Sequence, residues 1–138
     1  MQYLGALSQA WRAEAERNRK EIAILNVLMM ELGEAMIRLK ANVGLLRNGS
    51  PPALEELRDA PVGAWDALRL QMGEFWMPKD VFNVGLTYQQ IALINDVINR
   101  RGNRMKQEEF HKVVDGAVAD IGKEIKLLER RALKVGRE

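Results

Sequence analysis

At 138 residues, 47% apolar and 29% charged, the chain has the length and make-up of one folded domain with its own core, which excludes global disorder. Its 21 basic and 19 acidic residues leave a formal charge of +2, too small by itself to imply nucleic acid or an acidic membrane as partner. With no cysteine, disulfides, thiolate metal sites and thiol catalysis are all excluded.

No run of about 20 apolar residues is present, so no segment reads as a membrane span. The start, Met1 to Leu7, lacks a positive n-region and does not read as a signal peptide. Localisation stays open between the cytoplasm and a membrane-associated soluble domain.

The first 21 residues read as a polar helix. Tyr3 and Trp11 precede a basic cluster of Arg12, Arg17, Arg19 and Lys20, interleaved with Glu14, Glu16 and Glu21. One reading is the exposed first turns of a long helix. The sharper one is a juxtamembrane helix, with aromatics at the interface and basic residues beyond.

Ile22 to Leu46 organises the chain. Ile22, Leu25, Met29, Leu32, Met36, Leu39, Val43 and Leu46 alternate steps of three and four, which places them on one side of a helix. Ile24, Val27, Leu28, Met30, Ala35 and Ile37 lie off that seam. The apolar arc is therefore wider than a two-stranded coiled coil requires, and cover on more than one side is expected.

Asn48, Gly49, Ser50 and two prolines end this helix, with Gly49 or Asn48 suited to a left-handed cap. A short helical turn is expected over 53–57. Asp59 reads as the N-cap of a next helix carrying Pro61 in its first turn, with Trp65 and Leu68 on one face. Phe75 and Trp76 read as plugs of a bundle. Pro78 opens a further helix whose seam is Val84, Tyr88, Ile91, Asn95 and Ile98; the buried Asn95 is expected to need partners. Arg100 to Asn103 reads as a break, with Asn103 as a cap. Val114, Val118, Ile121, Ile125, Leu128, Ala132 and Val135 then mark a last long helix, in which Gly116 and Gly122 leave room for close approach.

The run Ala64–Trp65–Asp66–Ala67–Leu68–Arg69, then Met77–Pro78, then Tyr88, Ile91 and Asn95, resembles the helical soluble domain of membrane-anchored bacterial proteins of unknown function. The likeness covers roughly the first 100 residues. It implies a small helical domain beside a membrane and supplies no activity.

Chemistry-bearing motifs are few. Glu108 and His111 have the spacing of a di-iron helix motif, but such a site needs a second histidine and the chain has one. Ser8, Ser50 and Thr87 have no paired base nearby in sequence. Glu31, Glu34, Asp115 and Asp120 read as solvated helix faces rather than acid–base groups. No glycine-rich phosphate loop occurs, and no cofactor or metal is expected. Arg100, Arg101 and Arg104 could contact phosphates. The basic residues of the last helix alternate with Glu124 and Glu129, as on an ion-paired face, so nucleic acid is an unfavoured partner.

The expectation is an all-α antiparallel bundle. It comprises two long helices (about 8–47 and 104–135), a medium one (about 79–101) and a short one near 62–70. Its expected function is non-enzymatic helical interaction or scaffolding, with a protein partner or a second copy. The expected contact face is Leu25, Met29, Leu32, Met36, Leu39 and Val43. An alternative is a small-ligand sensor whose pocket holds Trp65, Trp76, Tyr88 and Asn95, with Met29 and Met36. A nucleic-acid-binding accessory protein is the third.

Overall fold

The computed structural model describes residues 2–99 and 107–137. They form five helices: α1 (Gln2–Asn48), α2 (Pro51–Glu55), α3 (Gly63–Met72), α4 (Pro78–Asn99) and α5 (Gln107–Arg137). No strand occurs among the described residues, and the all-α expectation holds. The expected break at 100–103, its Asn103 cap, and Arg100, Arg101 and Arg104 lie outside the described residues.

Long-range contacts give the helix directions. Arg131 on α5 reaches Glu21 near the middle of α1, and Arg47 at the end of α1 donates to His111 Nε2 near the start of α5 at 2.6 Å. α1 and α5 are therefore antiparallel. Gln90 on α4 donates to Asp120 on α5, and the first turn of α4 lies beside Glu124, so these two are antiparallel as well. The start of α3 meets Glu31 and the residues after its end meet Arg17, so α3 runs down α1. The four longer helices alternate in direction around one core, as short connections favour.

The core stripes of α1 and α5 differ from the expected seams in the same way. On α1 the buried stripe runs Glu21, Leu25, Leu28, Leu32, Ala35, Leu39, Asn42, with Ile24 buried beside it. This four–three frame shares Leu25, Leu32 and Leu39 with the expected seam. It replaces Ile22, Met29, Met36 and Val43 at the seam centre; the first three of these are only half-buried and Val43 sits at the edge of the buried set. On α5 the stripe runs Phe110, Val114, Ala117, Ile121, Glu124, Leu128, and Val118, Ile125 and Ala132 are half-buried. Only on α4 does the expected seam match: Val84, Tyr88, Ile91, Asn95 and Ile98 are all buried.

Several local signals behave as the residues dictate. Gly49 ends α1 with φ +68, the left-handed region that favours glycine. Ser50 Oγ accepts the Ala53 N–H and caps α2, whose first turn carries both prolines. Asp59 does not cap α3, because that helix starts four residues later; its carboxylate accepts from Asn99 instead. Gly116 and Gly122 face open space, so they are not sites of close helix approach. Gly85 is: a Cβ there would lie 3.4 Å from the Trp65 ring, which stacks on Tyr88 with centroids 5.5 Å apart.

Candidate functional site

The expected contact face lies inside the chain. Leu25, Leu32 and Leu39 are fully buried, Val43 is buried, and Met29 and Met36 are half-covered by their own neighbours. The four buried residues hold the bundle together, while Met29 and Met36 stay partly exposed at its edge.

The four expected pocket residues do not meet in one cavity. Trp65 and Tyr88 stack on each other in the core. Asn95 is committed to the backbone of Ala60, donating to its carbonyl and accepting its N–H, both at 2.9 Å. Trp76 stands apart, donating Nε1–H to Glu21 at 3.0 Å.

The outward face of α1 carries a second apolar stripe, distinct from the expected contact face. Ala23, Val27, Met30, Glu34, Ile37, Ala41 and Gly44 repeat the four–three step, and every one is exposed. Met30 is 67% and Ile37 68% exposed, high for large apolar side chains in an ordered helix. No other described element covers them. Above this face residues 4–20 of α1 are exposed apart from half-buried Leu7 and Asn18, and Leu4 and Trp11 lie open. Arg17 is held by the Glu74 carbonyl and the Phe75 ring, and Trp11, Ala15 and Asn18 line a cleft with Val135 and Gly136 of α5, so residues 4–10 alone, about 10 Å at 1.5 Å per residue, overhang the bundle.

Two polar arrangements lie between the helices. In the first, Glu31 on α1 accepts the Ala64 N–H at 2.8 Å and so caps α3 from outside. Val62, which stands at the N-cap position, makes no side-chain cap. The other Glu31 oxygen and the Tyr88 hydroxyl are buried close to each other. Burial, and then the Glu31 carboxylate, push the Tyr88 hydroxyl far above the usual tyrosine range.

The second arrangement surrounds a cleft of about 370 Å³ at the end of the bundle where α4 begins. Arg131 and Trp76, both in its wall, donate to the same oxygen of buried Glu21. Glu124 on α5 and Asp80 and Asn83 on α4 supply its polar lining, and Phe75, Met77 and Leu127 its apolar lining. Burial and then the Asp80 charge raise the Glu124 carboxyl above its ordinary value. Sequence reasoning had Glu124 and Arg131 as members of a solvated, alternating face; their place on the buried frame of α5 was the signal that identifies them.

Among the described residues no three His, Asp or Glu side chains gather as metal ligands would. No helix of those residues is long and apolar enough to cross a membrane. No family model, curated relative or solved structure matches the chain.

Proposed function

We propose that the chain is a non-enzymatic interaction domain that pairs with a second copy of itself through the outer face of α1. The observation that carries this reading is the exposed repeat of Val27, Met30 and Ile37 between small residues at both ends. A helix that is apolar around most of its circumference is normally covered on most of it.

The face is complementary to itself. An antiparallel pairing with its two-fold axis between positions 35 and 36 sets Val27 against Gly44, Met30 against Ala41 and Ile37 against Glu34 of the second copy. Large side chains then meet small or flexible ones, as knobs-into-holes packing requires. Arg38 falls next to the second copy's Glu34, which places opposite charges together. The stretch 23–44 is about 33 Å long. Two such faces need to remove on the order of 1,000 Å² in total to reach the lower bound of a specific interface.

Sedimentation of the purified chain across concentration tests this. A dimer is expected for the wild type and a monomer for Ile37→Glu, with helicity unchanged because position 37 is outside the core. The lack of native cysteine adds a register test: Met30→Cys with Ala41→Cys should crosslink a dimer on oxidation. A wild type that stays monomeric at every concentration sinks the proposal.

The overhang favours a second reading, a setting at a membrane surface. Exposed Leu4 and Trp11 precede Arg12, Arg17, Arg19 and Lys20, a pairing of apolar and basic groups suited to an anionic interface. Co-flotation with anionic but not neutral vesicles, lost in Trp11→Ser, is the expected result. Equal recovery with both vesicle types removes this reading.

A further inference from the structure

The cleft between α4 and α5 holds a charge that the fold leaves unanswered. Glu124 is 9% exposed, so more than nine-tenths of it is buried. It faces the cleft and has no hydrogen-bond or ion-pair partner among the described residues. Its carboxylate oxygens are not sealed in the core but open onto the cleft, and partial desolvation of that charge has a cost. Here its near neighbour is a second carboxylate, Asp80, which makes the cost larger. The cation in the wall, Arg131, is already engaged by Glu21 at 2.8 Å. Asp80 and Glu124 line the cleft against Arg131 alone, so its lining carries more negative than positive charge.

The remaining walls are apolar and held in place. Trp76 is fixed by its bond to Glu21, and Leu127 and Met77 flank the opening. The turn that carries Phe75 and Trp76 is tied to α1, since Arg17 donates to the Glu74 carbonyl at 2.9 Å and lies over the Phe75 ring at 5.5 Å. The cleft is thus largely built before anything enters it, as small-ligand sites usually are. Its size, about 370 Å³, suits a short chain rather than a nucleotide or a sugar oligomer.

We infer that this cleft binds an alkylammonium group, its charge on Glu124 and Asp80 and its apolar stem against Trp76, Met77 and Leu127. An ammonium supplies three donors and no acceptor, which two carboxylates and the Asn83 amide oxygen can receive. Its methylene stem can lie on apolar surface while the head stays on the acids. Trp76, beside the stem, presents apolar indole surface to it. The same chemistry is offered by a free aliphatic amine and by a lysine side chain of another protein.

Titration of the full chain with n-butylammonium, with a short peptide carrying one central lysine, and with n-butanol as neutral isostere tests the inference. Amide chemical shifts of Trp76, Asn83 and Glu124 are the readout. Saturable shifts at these residues are expected with at least one cation, and none with n-butanol. Shifts from both cations assign a free amine as sufficient, while shifts from the peptide alone assign a protein side chain. Glu124→Gln keeps the shape of the side chain and removes its charge; affinity should fall at least about tenfold, roughly 1.4 kcal/mol. Thermal unfolding of that variant verifies that it folds, and Asp80→Asn, at an exposed position, gives a second test independent of the core. No saturable shift with either cation, equal shifts with n-butanol, or affinity unchanged in both variants would falsify the assignment.

Discussion

Arg131 donates Nε–H to Glu21 at 2.8 Å although 110 positions separate the two residues. The bond ties the last helix to the first and shares its acceptor oxygen with Trp76. Glu21 is 3% exposed, so both donors depend on a carboxylate that water does not replace. Glu21→Ala leaves two donors and a cavity and should cost about 2–4 kcal/mol; Glu21→Gln keeps the volume and should cost less. Urea unfolding with an unchanged slope and a lower midpoint measures the difference.

Asn42 and Asn95 act as paired clamps on the connection between α2 and α3. Asn42 donates to the Arg58 carbonyl at 2.7 Å and accepts the Arg58 N–H at 3.3 Å. Asn95 treats Ala60 the same way. Each side chain mimics a peptide group and satisfies one donor and one acceptor of an irregular segment, part-buried at Arg58 and buried at Ala60. Leucine at either position leaves both backbone groups unpaired, with an expected loss of about 2–3 kcal/mol per site. Faster proteolysis within 56–62 should accompany it, and a cleavage pattern identical to wild type counts against the clamp.

Glu31 and Tyr88 divide into a group the fold uses and one it tolerates. Glu31→Ala removes the outside cap of α3 and should destabilise by about 1–2 kcal/mol. Tyr88→Phe keeps the stack on Trp65 and removes a hydroxyl that lies against the Glu31 carboxylate. It is expected to cost no more than about 1 kcal/mol. A large loss in Tyr88→Phe, measured by the thermal midpoint, contradicts this account.

Glu124 makes stability depend on pH with a defined sign. Its carboxyl holds its proton more tightly folded than unfolded, so ionising it costs stability. The cost begins as pH rises past the ordinary carboxylate value and is complete above the raised one. The charged groups near it are Asp80 on α4, Arg131 on α5 and, through Arg131, Glu21 on α1. Glu124→Gln removes the cost and should be more stable than wild type at neutral pH. The advantage should vanish at pH below the ordinary carboxylate range, which parallel melting curves at the two conditions read directly.

Much of the secondary structure was legible in the spacing. The five helices, the left-handed Gly49, the Ser50 cap and the full seam of α4 follow from local rules that need no partner. Helix ends shifted by a few residues, and the Asp59 cap failed because Asn99 takes its carboxylate and α3 begins later.

The rotation of α1 and α5 was not legible, for one shared reason. Reading the most apolar frame selects Met29, Met36, Val118 and Ile125. The buried frame instead admits Glu21, Asn42 and Glu124, with half-buried Arg131 at its edge. Replacing every second seam member by its neighbour turns each helix by about 50°. By itself the sequence determined that the chain is helical and that its first helix is apolar on too many sides for one seam. Only the tertiary structure decided which side is closed. Glu21 and Asn42 are acceptable inside because Arg131, Trp76 and the Arg58 backbone, 16 to 110 positions away, supply their hydrogen bonds. The partners of Glu21 and Asn42 therefore set the rotation of α1, and with it which apolar residues, Val27, Met30 and Ile37, are left facing out.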